Sequence, residues 1–126
     1  MTLSPGLKAS VSLEVSPADT AVALGSGDVE VLGTPRVVAL AEEATVRALE
    51  AALDPTRTSV GTRIELDHLS PTAVGDTVTA TATLELVEGR RLEFAVEVDQ
   101  EGRVVARGRV SRVVVDRSRF AASARG

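Results

Sequence analysis

Apolar residues recur with a helical period in one stretch of the chain only, from Thr34 to Asp54 (TPRVVALAEEATVRALEAALD), and elsewhere they alternate with polar ones. Gly33-Thr34-Pro35 opens the stretch with a capping hydroxyl followed by the residue best tolerated in a helix's first turn, and Asp54-Pro55 closes it. At 100° per residue, Arg36, Glu43, Arg47 and Glu50 fall in one narrow arc, with Glu43 and Arg47 spaced as an i,i+4 pair. That arc is the solvent face. Nearly every other position is Ala, Val or Leu, so the apolar arc predicts a helix enclosed on most sides. Glu42 breaks the pattern. It falls between Val38, Val46, Leu49 and Leu53, where an unpaired buried carboxylate costs on the order of several kcal/mol, and such a violation marks a functional candidate.

Period-two alternation predicts the strands. Lys8 to Val15 is the first, followed by a turn at Ser16-Pro17-Ala18-Asp19 and a short strand over Thr20–Leu24 that Gly25-Ser26-Gly27-Asp28 breaks into a loop. After the helix, Val60, Thr62, Ile64, Leu66 and His68 share one face of a strand, and Arg63, Glu65 and Asp67 the other. The chain's one histidine thus ends an inward face. Thr77 to Val87 places Val78, Ala80, Ala82, Leu84 and Leu86 inward; Leu92, Phe94, Val96 and Val98 follow after Glu88-Gly89-Arg90; Arg103 to Asp116 follows after Gln100-Glu101-Gly102. Residues 1–6 and 117–126 read as loose tails of a single domain spanning 1–126. One long helix followed by a four-stranded antiparallel meander, with a strand before it, is an α+β pattern. A curved antiparallel sheet rolled around one central helix describes a hotdog domain, and its exposed edge suits pairing with a second copy.

Composition removes several chemistries. There is no cysteine, so no disulfide and no thiolate, and a single histidine excludes a multi-histidine metal site within one chain. A net charge of −4, with two Phe and no Tyr or Trp, argues against nucleic acid. No apolar run approaches the ~20 residues of a membrane span, and the N-terminus lacks a signal-peptide pattern, so we expect a cytoplasmic protein with no membrane or metal partner. The C-terminal part is basic, with Arg103, Arg107, Arg109, Arg112, Arg117, Arg119 and Arg125 against Asp116. By strand parity Arg112 shares a face with Val110 and points inward, unlike Arg107 and Arg109.

Thr34 and Glu42 on the helix, Gly61 and His68 on the next strand, then Pro71, Gly75-Asp76, Glu88-Gly89-Arg90-Arg91-Leu92 and Arg112-Val113-Val114-Val115, together resemble the hotdog thioesterases related to fluoroacetyl-CoA thioesterase. The resemblance runs from about Gly33 to Val115. It implies a catalytic set of Thr34, Glu42 and His68 acting on an acyl-CoA or acyl-carrier thioester; the substrate-binding candidates are Gly61, whose N–H suits a developing oxyanion, and Arg112, one of the guanidinium groups suited to the phosphates of coenzyme A. It implies no cofactor beyond the coenzyme A carried by that substrate, and a homodimer or a tetramer built from it. The loop from Ser26 to Leu32 holds no aromatic residue to close over the acyl group. We therefore expect short-to-medium acyl groups and no marked fluoroacetyl preference.

The residues also have plainer readings. Thr34 before Pro35 is an ordinary helix cap, a lone inward histidine is most often a hydrogen-bonded core residue, and Glu42 suits a structural carboxylate at a subunit interface. A non-catalytic acyl-CoA-binding or regulatory hotdog domain is the corresponding alternative. Chemically, a neutral imidazole with an ordinary pKa of about 6.5 accepts a proton near pH 7, while a carboxylate orients it, activates water or attacks a carbonyl. Thr34 and Glu42 are eight residues apart, about 12 Å along a helix axis, so either His68 lies between them or a second subunit supplies one member.

Overall fold

Alternation of threonine with small aliphatic residues makes β3 (Thr77–Glu88) the floor of the fold, with Val78, Ala80, Ala82 and Leu84 buried and the threonines on the opposite face. The structure, a computed structural model describing residues 3–126, sets this strand between β1 (Lys8–Glu14) and β4 (Arg91–Gln100). β5 (Arg103–Asp116) follows β4, and β2 (Arg57–His68) closes the far edge, giving one five-stranded antiparallel sheet in the order β1-β3-β4-β5-β2. Only β3-β4-β5 is therefore a meander. The expected four-stranded meander is corrected because β1 occupies the free edge of β3, which sends β2 to pair with β5 instead.

The long helix α2 (Thr34–Leu49) lies across the concave face, mainly over β1 and β3. Its 16 residues span about 24 Å, one turn or more short of the stretch predicted to Asp54; the chain after Leu49 continues as turns. Val37, Leu40, Ala41, Ala44, Thr45, Ala48 and Leu49 are buried, a single stripe at helical spacing. Alanines on this stripe face Ala80 and Ala82 in the same core, so the absence of bulk on both surfaces permits close packing of helix on sheet. The helix is not enclosed on most sides within one chain: Ala39 and Val46 remain exposed, because one sheet covers only one face.

Four local predictions change. Thr20–Leu24 is not a strand: Thr20 forms an isolated bridge with Leu32, and its hydroxyl caps the short helix α1 (Ala21–Leu24) by accepting from Ala23 N–H. Ala and Leu favour the helix once such a cap exists. From Arg117 the chain is a helix, α3 (Arg117–Ser123), capped by the Asp116 carboxylate, rather than an irregular tail. In the lead-in, Gly6 N–H donates to the Leu84 carbonyl and Leu3 packs on the core, while Met1 and Thr2 lie outside the described residues.

The fourth change concerns β2. Its register against β5 shifts between Gly61 and Arg63, leaving Thr62 as an extra residue. A bulge reverses the side-chain parity on its two sides. Ile64, Leu66 and His68 keep the predicted inward face, but before the bulge Ser59 and Gly61, paired with the buried Val114 and Arg112, take that face in place of Val60 and Thr62. A second bulge at Glu85 in β3 likewise leaves Leu86 exposed and turns Val87 toward the core.

Candidate active site

Polar side chains gather on α2 in two places, at its first residue and about two turns further on. At the start, Gly33 and not Thr34 is the N-cap, and no side chain caps the helix. Gly33 is needed there because a Cβ would press on the backbone of Ala21 at 3.1 Å and on Leu24 Cδ1 at 3.0 Å. Released from capping, the Thr34 hydroxyl lies 2.8 Å from His68 Nδ1. Of the helix's first N–H groups, those of Gly33 and Arg36 donate to the Asp19 and Gly33 carbonyls and Pro35 has none, which leaves the Thr34 N–H without an acceptor among the described residues.

His68 stands at the end of β2, where Leu69 N–H and Ser70 N–H both donate to the Val105 carbonyl and fix the turn. Burial holds its imidazole below the ordinary value of 6.5, partly offset by the backbone of Ser70 alongside, with which no hydrogen bond of standard geometry forms. Its Nε2 is buried and without a partner among the described residues. Thr34 and His68 line a cavity of about 250 Å³ together with Ala21, Ser26, Val31 and Leu32. The segment over that cavity is tied at its neck by the Thr20–Leu32 and Val31–Ala73 bridges and carries Val29 well exposed.

Further along α2, Glu42 Oε2 accepts from Arg112 Nη1 at 3.3 Å. Arg112, only 5% exposed, points inward as its parity predicted, and its remaining nitrogens are held by one residue: Nε donates to Ser59 Oγ at 2.8 Å and Nη2 to the Ser59 carbonyl at 3.0 Å. Burial pulls the guanidinium below its ordinary value, and the Glu42 carboxylate opposes this by charge and hydrogen bond. Gly61 sits opposite Arg112 in the ladder, and a Cβ there would collide with Glu42 Oε2. The second oxygen of Glu42 has no hydrogen-bond partner among the described residues, and the side chain is 36% exposed.

The five sequence candidates thus fall into two sets, Thr34 with His68 and Glu42 with Arg112 and Gly61, and no hydrogen bond joins them. His68 bonds Thr34, and no hydrogen bond joins it to Glu42. Ser59 was missed. A glycine inside a strand is the signal for a bulge, and a bulge at Gly61 is what turns Ser59 inward.

The residue pattern of the family described as fluoroacetyl-CoA-specific thioesterase matches residues 15–118. The chain belongs to that family. A fluoroacetyl-CoA thioesterase of Streptantibioticus cattleyicolor is 40% identical over 96 residues, covering 76% of this chain and 69% of that protein. A solved structure of the fluoroacetyl-CoA thioesterase superposes with a TM-score of 0.93 at 33% identity, over 99% of this chain and 97% of that one. A hot-dog-like protein from Thermanaerovibrio acidaminovorans gives 0.86 at 29% identity, over 95% and 89%. The fold is hotdog, and this thioesterase hydrolyses thioesters as its family does. No helix among the described residues is long and apolar enough to cross a membrane.

Proposed function

We propose that this thioesterase hydrolyses short-to-medium acyl thioesters of coenzyme A or of an acyl carrier, as a homodimer whose active sites are shared between subunits. The observation that carries the reading is the 2.8 Å contact between the Thr34 hydroxyl and His68 Nδ1 at the mouth of a cavity. A hydroxyl beside a neutral imidazole is an activated nucleophile. In this reading His68 takes the Thr34 proton as Oγ1 adds to the thioester carbonyl, and the start of α2 stabilises the oxyanion. The thiol leaves with the proton from His68, and water, deprotonated in turn by His68, releases the acid from the acyl-threonine.

A carboxylate facing the Thr34–His68 pair completes the set by stabilising the imidazolium that forms during the reaction. Glu42 of the same chain is about 12 Å along the helix from Thr34, and its half-exposed carboxylate has one oxygen free for a second copy. The exposed Val46 and the open edge of β2 lie on the same side as Glu42 and favour that copy docking there. The relative's named substrate is fluoroacetyl-CoA. Here the segment over the cavity carries Asp28 and Val29 and no aromatic side chain, which supports a broader acyl range with little preference for fluoroacetyl over acetyl.

Thiol release from acetyl-, butyryl-, hexanoyl-, octanoyl- and fluoroacetyl-CoA tests the reading, with mass spectrometry of the quenched enzyme for an acyl group on Thr34. Turnover of several unsubstituted acyl-CoAs is expected. Tight binding without turnover would favour the non-catalytic alternative, and a large fluoroacetyl preference in kcat/KM would overturn the substrate range.

A further inference from the structure

We propose that Ser59 is a positioning residue for thioester hydrolysis, setting the direction of the Glu42 carboxylate through Arg112. The inference rests on the thioesterase reading above and adds to it a residue that touches no substrate.

A guanidinium is flat and presents its donors in a rigid fork, so two contacts along one edge fix both its plane and its rotation. Ser59 supplies both, the hydroxyl to Nε at 2.8 Å and the carbonyl to Nη2 at 3.0 Å. One donor edge remains, and on it Nη1 meets Glu42 Oε2 at 3.3 Å. The backbone of β2 stands behind the same oxygen, since the place of a Cβ on Gly61 is taken by Oε2. Oε2 is therefore held from two sides, and Oε1 is the only oxygen of this carboxylate left to act on anything else.

The brace depends on the bulge. Ser59 faces inward only because the extra residue Thr62 reverses parity, and it then sits diagonally from Arg112, which pairs with Gly61. The serine carbonyl cannot be removed by mutation, so losing the hydroxyl leaves Arg112 with one anchor in place of two. The guanidinium then pivots about Nη2, and Glu42 follows it.

The test is acyl-CoA hydrolysis by wild type, Ser59→Ala, Ser59→Thr and Ser59→Val. Thr and Val have nearly the same shape and differ by the hydroxyl, so this pair decides the matter even if the alanine variant folds poorly. With the brace as described, kcat falls about tenfold in Ser59→Ala and Ser59→Val, the scale of one charged hydrogen bond, while KM stays within about twofold. Ser59→Thr retains most of the wild-type kcat. In a Glu42→Gln background the valine substitution costs nothing further, because the group it positions is already gone.

Unchanged kcat in Ser59→Val, an equal loss in the Thr and Val variants, or a full extra loss on top of Glu42→Gln would each overturn the proposal. Failure of the wild type to hydrolyse any acyl-CoA would instead sink the thioesterase reading itself.

Discussion

The two ends of the candidate site are built on opposite principles. The Thr34–His68 pair is uncharged, opens on a cavity and has a polar atom left over, whereas the Glu42–Arg112–Ser59 cluster is ionic and braced against backbone. A group that passes protons needs a neutral form near working pH and room for a substrate, which burial of His68 beside a cavity provides. A carboxylate that must stay charged and fixed needs a counter-charge and several hydrogen bonds, which the second cluster supplies. The comparison teaches that one chain holds two separate polar clusters, one suited to passing a proton and the other to holding a charge fixed.

Glu42→Gln should break the comparison most severely, lowering hydrolysis by about 10² or more while a folded protein still binds acyl-CoA. Thr34→Ala should be similarly inactive. If the halves meet across subunits, exchanging equal amounts of these two variants restores up to about a quarter of wild-type activity, since half the dimers are mixed and each holds one intact site. No recovery, or only monomer in sedimentation at micromolar concentration, would place both halves in one chain.

Gly61→Ala comes next. Alanine ordinarily stabilises a strand relative to glycine, but here its Cβ must displace Glu42 Oε2, so kcat should fall about tenfold or more with little change in unfolding temperature. A smaller effect is expected from pH. Burial lowers the His68 pKa and the neutral imidazole is the base, so the acid limb of kcat/KM should be centred below 6.5. The same sign applies to stability: below 6.5 the unfolded histidine takes up a proton that the folded one resists, so His68 disfavours the fold there and has no pH-dependent effect well above it. An activity limb centred above 6.5 would contradict this. The smallest effect belongs to Glu43→Gln, one residue from Glu42 but on the exposed arc with Arg47 at 3.3 Å. Its loss should cost a few tenths of a kcal/mol in denaturant unfolding and leave kcat unchanged.

The helix, the strands and the candidate polar residues were legible because each rests on a local period. Glu42 stands out against its neighbours on the helical wheel, and Arg112 shares parity with Val110, with no need of a partner strand to say so. Thr34 was harder, since a hydroxyl before proline looks like a cap. In the structure Gly33, packed against Ala21, is the cap, and the Thr34 hydroxyl meets His68 instead. Ser59 was hidden by a parity count carried straight through a strand that contains a bulge.

By itself, the sequence determined what depends on near neighbours: the amphipathic stripe of α2, the alternation of five strands, the turns between β3, β4 and β5, and the residue types from which a thioester-cleaving site is made. The tertiary structure decided what depends on distant ones. Which edge β2 joins, where its register slips, which residue caps α2, and the separation of Thr34–His68 from Glu42–Arg112 follow from contacts between segments far apart in the chain. Such contacts are settled by competition for the same backbone donors, the same core volume and the same side of a strand, and no local period records the outcome of that competition.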